Sequence, residues 1–206
     1  MAIGTYSELQ TAIAGWLAKS NLSTYIPDFI ALAEAEFRRE LRIREMETTT
    51  TITVNAQRVS LPTNYLGARR FYLDQNPALI LKYIPPEQMF TMWAGSMAGR
   101  PQFFTIEGDQ FVFGPTPETS YNGELLYYQA FPSLSDVQTT NELLTIAPDL
   151  YLYASLEAAK GFLQDDARLA TWGAMKINAM RQLTSSDQRD RYSGSALVPR
   201  TDIGNP

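Results

Sequence analysis

Apolar residues recur at two different periods along this chain, and the change of period divides it. Leu9, Ile13, Trp16 and Leu17 stand at helical spacing. They follow Thr5-Tyr6-Ser7-Glu8, a capping-box pattern in which a threonine hydroxyl and a glutamate three residues later satisfy each other's orphan backbone donors. An amphipathic helix ending near Ser20-Asn21 is predicted. Pro27 suits a first-turn position, and Phe29, Ile30, Ala33, Phe37 and Leu41 continue along one face, so a second helix is expected to run to about Glu45.

From Thr48 the period is nearer two. Four consecutive threonines lead into Ile52 and Val54, and β-branched residues favour pleated backbone. Short strands are expected between breakers: Val59-Ser60-Leu61 before Pro62, Arg70 to Leu73 before Asp74-Gln75-Asn76-Pro77, and Leu79 to Ile84 before Pro85-Pro86. Phe103 to Ile106 and Phe111 to Phe113 flank Glu107-Gly108-Asp109-Gln110, the form of a hairpin whose turn uses glycine for positive φ. Gly123 to Phe131 supplies another strand. Glu87 to Met97 interrupts as a short helix carrying Met89, Phe90 and Trp93.

After Phe131 the helical period returns. Pro148 fits a first turn, and Leu150 to Leu163 is apolar on two adjoining stripes, Tyr151/Ala154/Ala158/Phe162 and Leu152/Leu156/Ala159/Leu163. So wide an apolar surface predicts a helix buried on most sides. A last helix is expected over Ala167 to Leu183, with Leu169, Trp172, Met175, Ala179 and Leu183 inward. Past Thr184 no period remains, and Ser185 to Pro206 reads as a polar tail. The order predicts an α+β protein: a four-helix core from the N- and C-terminal segments, an inserted, mostly antiparallel β block and an extended C-terminal tail. The expected boundaries are 1–47 with 142–192 for the core, 48–141 for the β insert and 193–206 for the tail.

Composition narrows the chemistry. In 206 residues there is neither cysteine nor histidine. Disulfides, thiolate zinc sites and every Ser-His or Cys-His relay are thereby removed. With 17 basic against 22 acidic residues the chain lacks the positive field that non-specific phosphate binding requires. Met1 to Gly15 has no cationic start, and no apolar run approaches the ~18 residues needed to cross a bilayer. A soluble, cytoplasm-made protein with no membrane partner is expected.

The candidate sites are few. Asp165-Asp166 could hold a divalent cation, but a metal site needs more converging oxygens, and one aspartate serves better as the cap of the following helix. Arg38, Arg39, Arg42 and Arg44 lie among Glu34, Glu36, Glu40, Glu45 and Glu47, which makes a charged solvent- or subunit-facing surface a better reading than a nucleic-acid patch. Gly95-Ser96-Met97-Ala98-Gly99 lacks the nucleophile-elbow spacing and is expected as a loop. Glu107, Asp109, Glu118 and Glu124 lie in or near strands, where two could face each other as a glycosidase pair. Their separation is left open by the sequence. The β block also carries many aromatics, including Phe71, Tyr83, Phe103, Phe104, Phe111, Phe113, Tyr127 and Tyr128. Alternation sends only half of such residues into a small core, so some are expected at an interface. No catalytic, cofactor-binding or metal residue is expected.

The succession AGRPQFFTIEGDQFVFGPTP, ELLYYQAFPSLSD, NELLTIAPDLYLYASLEAA and FLQDDARLATW resembles the head-to-tail adaptors of tailed bacteriophages. TYSELQTAIAGWLAKS and PDFIALAEAEFRREL look like the start of the same family. That resemblance implies a helical core with an inserted β domain. It implies a non-enzymatic virion protein, assembled in the host cytoplasm, that forms a ring of twelve copies at the head-tail junction. The ring would join a portal protein to a tail or nozzle protein, with DNA passing through the lumen without specific binding. The C-terminal segment would reach toward the portal. The expected contact residues are Arg38, Arg39, Arg42, Arg44, Phe103, Phe104, Tyr127, Tyr192, Leu197 and Val198. The alternative is a virion-associated, carboxylate-dependent glycan hydrolase.

Overall fold

The computed structural model of the chain describes residues 3–93, 97–163 and 168–191. In chain order the elements begin with α1 (Tyr6–Leu17), α2 (Ile26–Glu40), β1 (Glu47–Val54), β2 (Arg58–Ser60) and β3 (Tyr65–Leu73). β4 (Leu79–Ile80), β5 (Lys82–Tyr83), α3 (Pro86–Trp93), β6 (Ala98–Gly99), β7 (Phe103–Glu107) and β8 (Gln110–Gly114) follow. β9 (Thr116–Pro117), β10 (Tyr121–Gln129), α4 (Glu142–Ile146), α5 (Pro148–Ala158) and α6 (Arg168–Arg191) complete an α+β protein. Two compact units are formed, one from Met1–Ala35 and Leu134–Pro206, the other from Glu36–Ser133.

In the helical unit the capping box forms as the sequence predicts. Glu8 N–H donates to Thr5 Oγ1 at 3.3 Å, and Thr5 N–H donates to Glu8 Oε2 at 3.1 Å. These bonds satisfy donors that a helix start leaves free, and they hold the Glu8 carboxyl below its usual range, the bond from Gly4 N–H contributing most. α1 stops at Leu17, earlier than expected, because Ala18 turns left-handed at φ 52°. α5 packs against both α1 and α6, and its Leu150, Tyr151, Leu152, Ala154, Ser155 and Leu156 are all buried. α5 ends at Ala158, short of the expected Leu163; Leu152, Leu156, Ala159 and Leu163 of one apolar stripe are all buried, whereas Phe162 of the other is 50% exposed.

Two expectations need correcting. α2 ends at Glu40 instead of Glu45: from Leu41 to Arg44 buried and exposed residues alternate, the period of extended backbone, and Ile43 is itself extended at φ −113° and ψ 163°. α6 runs on to Arg191, so Ser185 to Arg191 is helix, not tail. Its polar end is held locally, since Thr184 Oγ1 donates to the Met180 carbonyl at 2.9 Å and Arg191 Nε donates to buried Asp187 Oδ2 at 2.8 Å. Trp172 and Ala179 face inward as predicted, but Met175 is exposed. The Asp165-Asp166 pair and the segment 193–206 lie outside the described residues.

The β unit is a sandwich of two sheets, ordered β1-β10-β3-β4 and β2-β8-β7-β5, with a small β6-β9 pair. Every pairing in the two larger sheets is antiparallel except β5 with β7. Gly108 takes φ +61° at the β7–β8 turn, as the hairpin reading requires. One core joins the sheets: Ile52, Val54, Phe71, Leu73, Leu125 and Tyr127 from the first meet Phe104, Phe111 and Phe113 from the second. Phe71 is central, its ring centroid 5.6, 5.3 and 5.6 Å from those of Phe104, Phe111 and Phe113. On the other face of the second sheet Val112 packs with Ile84 and Met89, and α3 lies there with Trp93 against Phe103.

Candidate interaction surfaces

Three of the four carboxylates weighed as a hydrolytic pair are each engaged separately. Glu107 on β7 pairs with Arg58 at 2.6 Å, Glu124 on β10 lies 3.8 Å from Arg70, and Glu118 accepts from the Tyr121 hydroxyl at 3.2 Å. Glu107 and Glu124 also belong to different sheets. Among the described residues no group of acidic side chains is gathered as a metal ion would need.

The four arginines at the end of α2 divide by role. Arg42 folds back to donate to the Arg38 carbonyl at 3.0 Å, satisfying a carbonyl that the helix end leaves open. Arg38 reaches Asn64 Oδ1 at 3.5 Å, and Arg44 pairs with Glu45 at 3.1 Å. Arg39 is exposed and bonds to no described residue. It is the guanidinium of this group best placed to meet another molecule.

The aromatics divide as well. Phe104 and Tyr127, read from the sequence as contact residues, are only 5% and 4% exposed and stand in the sandwich core. Phe103 is half-buried under Trp93. Phe104 and Tyr127 are interior because two sheets, not one, present inner faces to each other. Tyr83 and Phe90 remain outside, at 56% and 73% exposure. Tyr192, Leu197 and Val198 lie outside the described residues.

A second group was not singled out from the sequence. On the outer face of the first sheet the Arg69 guanidinium lies 5.6 Å from the Tyr128 ring and 3.5 Å from Glu47. Arg70 lies 5.5 Å from the Tyr72 ring, whose phenol is raised chiefly by its hydrogen bond with Glu124. Arginine and tyrosine are the residue types that contribute most at protein interfaces, and here their mutual contacts fix them before any partner arrives. The outward phase of Arg70-Phe71-Tyr72 was the available signal, since buried Phe71 places both neighbours on the other face.

Within the helical unit, Glu34 anchors a polar group. Its Oε1 accepts from Leu134 N–H at 2.8 Å and from the Tyr151 hydroxyl at 3.2 Å, while Asn141 Nδ2 donates to Tyr151 Oη at 2.7 Å. Asn141 Oδ1 in turn accepts from Leu144 N–H at 2.8 Å and starts α4. Burial pushes the Tyr151 phenol far above its ordinary value, and the Glu34 carboxylate adds to this.

The described residues thus offer well-supported surfaces for contact, set on a rigid sandwich and a helical bundle. A family model described as SU10 adaptor protein matches residues 4–200, and the chain belongs to that family of phage head-tail adaptors. Membership makes it a virion component that associates with other parts of the particle. No curated protein matches it. No helix among the described residues is long and apolar enough to cross a membrane.

Proposed function

We propose that this protein is the ring-forming adaptor that joins the portal to the tail or nozzle and continues the DNA channel between them. The observation that carries this reading is the family match across residues 4–200, which takes in both the helical and the β unit. Copies associate head to tail around the ring, each giving one surface and receiving another, so the contact closes by rotation. Arg38, Arg39, Arg42 and Arg44 supply the charged side of such contacts, and Phe103 an apolar margin. Phe104 and Tyr127 act from within, by keeping the sandwich that carries those surfaces in shape. Tyr192, Leu197 and Val198 extend the reach toward the portal. The net charge of −5 suits a lumen through which DNA slides without being held.

Electron microscopy of the protein mixed with its portal is expected to show a closed ring stacked on the portal. A protein that stays monomeric and never docks would overturn the proposal.

A further inference from the structure

The first sheet ends on β1, and that edge is unlike the others of the β unit. β4 has two residues and follows Pro77, β2 has three and precedes Pro62, and β5 has two and runs into Pro85-Pro86. Short strands beside prolines are protected against pairing with another chain. β1 instead has eight residues and pairs with β10 in unbroken register from Glu47 opposite Tyr128 to Val54 opposite Tyr121. It contains no proline and no basic residue. In an antiparallel pair alternate residues turn their N–H and C=O groups away from the partner, and along Thr48–Val54 no other described residue bonds to those groups. Both faces beside the edge are furnished: Ile52 and Val54 continue the core, while Thr49, Thr51 and Thr53 are exposed.

We propose that the β1 edge is a strand-addition site, at which an extended segment of another virion protein pairs with Thr48–Val54 and widens the first sheet by one strand. This rests on the adaptor reading, which requires the protein to hold other virion components. A second copy is a poor source for the strand. Its other sheet edges offer at most three residues, and two β1 edges paired antiparallel form a two-fold contact, which closes a dimer and not a ring. Backbone hydrogen bonds supply the affinity, as in other strand additions, and alternation sets the sequence that fits. Apolar, β-branched residues are needed beside Ile52 and Val54, uncharged polar ones beside the threonines. A charge on the inner row is excluded, because it would be buried without a partner.

Hydrogen exchange followed by mass spectrometry tests this on Thr48–Val54 in the isolated protein, in its complex with the portal, and in the tailed particle. The outward amides are expected to exchange fast in the isolated protein, whatever its oligomeric state, and at least about tenfold slower in the portal complex or the particle. Protection already present in the isolated assembly would make a second copy the occupant and overturn the proposal. Fast exchange in all three, with microscopy still showing the ring on its portal, would overturn it too while leaving the adaptor reading intact. Of the variants Thr50→Pro and Thr51→Pro, one removes a donor that faces β10 and the other an outward donor; the one with the smaller fall in Tm is the edge variant. It is expected to lose the added protection and its place in the particle, and retention of both would refute strand addition.

Discussion

Gly123 on β10 lies against the ring of Phe71 on β3, so closely that a Cβ on the glycine would stand 2.6 Å from Phe71 Cε2. The ring has nowhere to retreat, because Phe104, Phe111 and Phe113 of the facing sheet surround it. Gly123→Ala is therefore expected to destabilise the β unit by about 1–3 kcal/mol, the usual cost of overpacking a filled core. Urea unfolding should show a lower midpoint, and an unchanged midpoint would mean that the ring can tilt aside.

Arg168, the first residue of α6, donates to the carbonyls of Trp16 at 3.0 Å and Leu17 at 3.4 Å and lies 5.0 Å from the Trp172 ring. It closes the open end of α1 with charge of the favourable sign. Arg168→Ala is expected to cost about 1 kcal/mol, and Arg168→Lys to recover only part, since an ammonium lacks the planar fork that reaches two carbonyls. Thermal unfolding of the three proteins compares them directly.

The polar group around Tyr151 predicts a dependence on alkaline pH. A tyrosine in the unfolded chain loses its proton near pH 10, whereas Tyr151 in the folded unit keeps it to higher pH. The unfolded state then binds fewer protons, so this contribution to stability is complete below about pH 10 and falls as pH rises toward the folded-state value. Tyr151→Phe should lower stability by roughly 1 kcal/mol at neutral pH and flatten the decline between about pH 9.5 and 11. A residual slope is expected from Tyr6, which burial also raises. Equal slopes for the wild type and Tyr151→Phe would remove Tyr151 from the account.

Arg39→Glu separates folding from assembly. The side chain is exposed and unpaired among the described residues, so stability should change by no more than about 0.5 kcal/mol. If it lies in a contact between copies or with the portal, the reversed charge should lower the yield of rings in analytical ultracentrifugation, most strongly at low salt. Unaltered assembly would place the contact elsewhere.

The elements with strong periods were legible from the sequence. Phe29, Ile30, Ala33 and Phe37 mark the buried face of α2, and Gly108 marks the β7–β8 turn, because each obeys a local rule that tertiary packing did not override. α4 was missed: five residues are too few to show a period, and only Asn141 ahead of Leu143-Leu144 announced it. The end of α6 was missed because its support is polar, resting on Asp187 and Arg191 four apart. The contact surfaces were least legible. A run of aromatics fixes how many rings must be placed, but which of them turn inward depends on the second sheet, and that is a long-range fact. Phe104 and Phe90 look alike in sequence and end in opposite surroundings.

The division of the chain bears on how the protein is made. Tyr6–Ala35 leaves the ribosome before the whole of Glu36–Ser133, and the α5 that covers Leu9, Ile13 and Leu17 comes only afterwards. At ~5–20 residues per second, that apolar stripe waits roughly 7–28 s for its partner. The sandwich can fold during the delay, and once it does, a long floppy connection becomes a fixed one that brings the two halves of the helical unit together at lower entropic cost. The β unit is in that sense a folding aid to the helices on either side of it, and slowing translation within it should raise the yield of soluble protein.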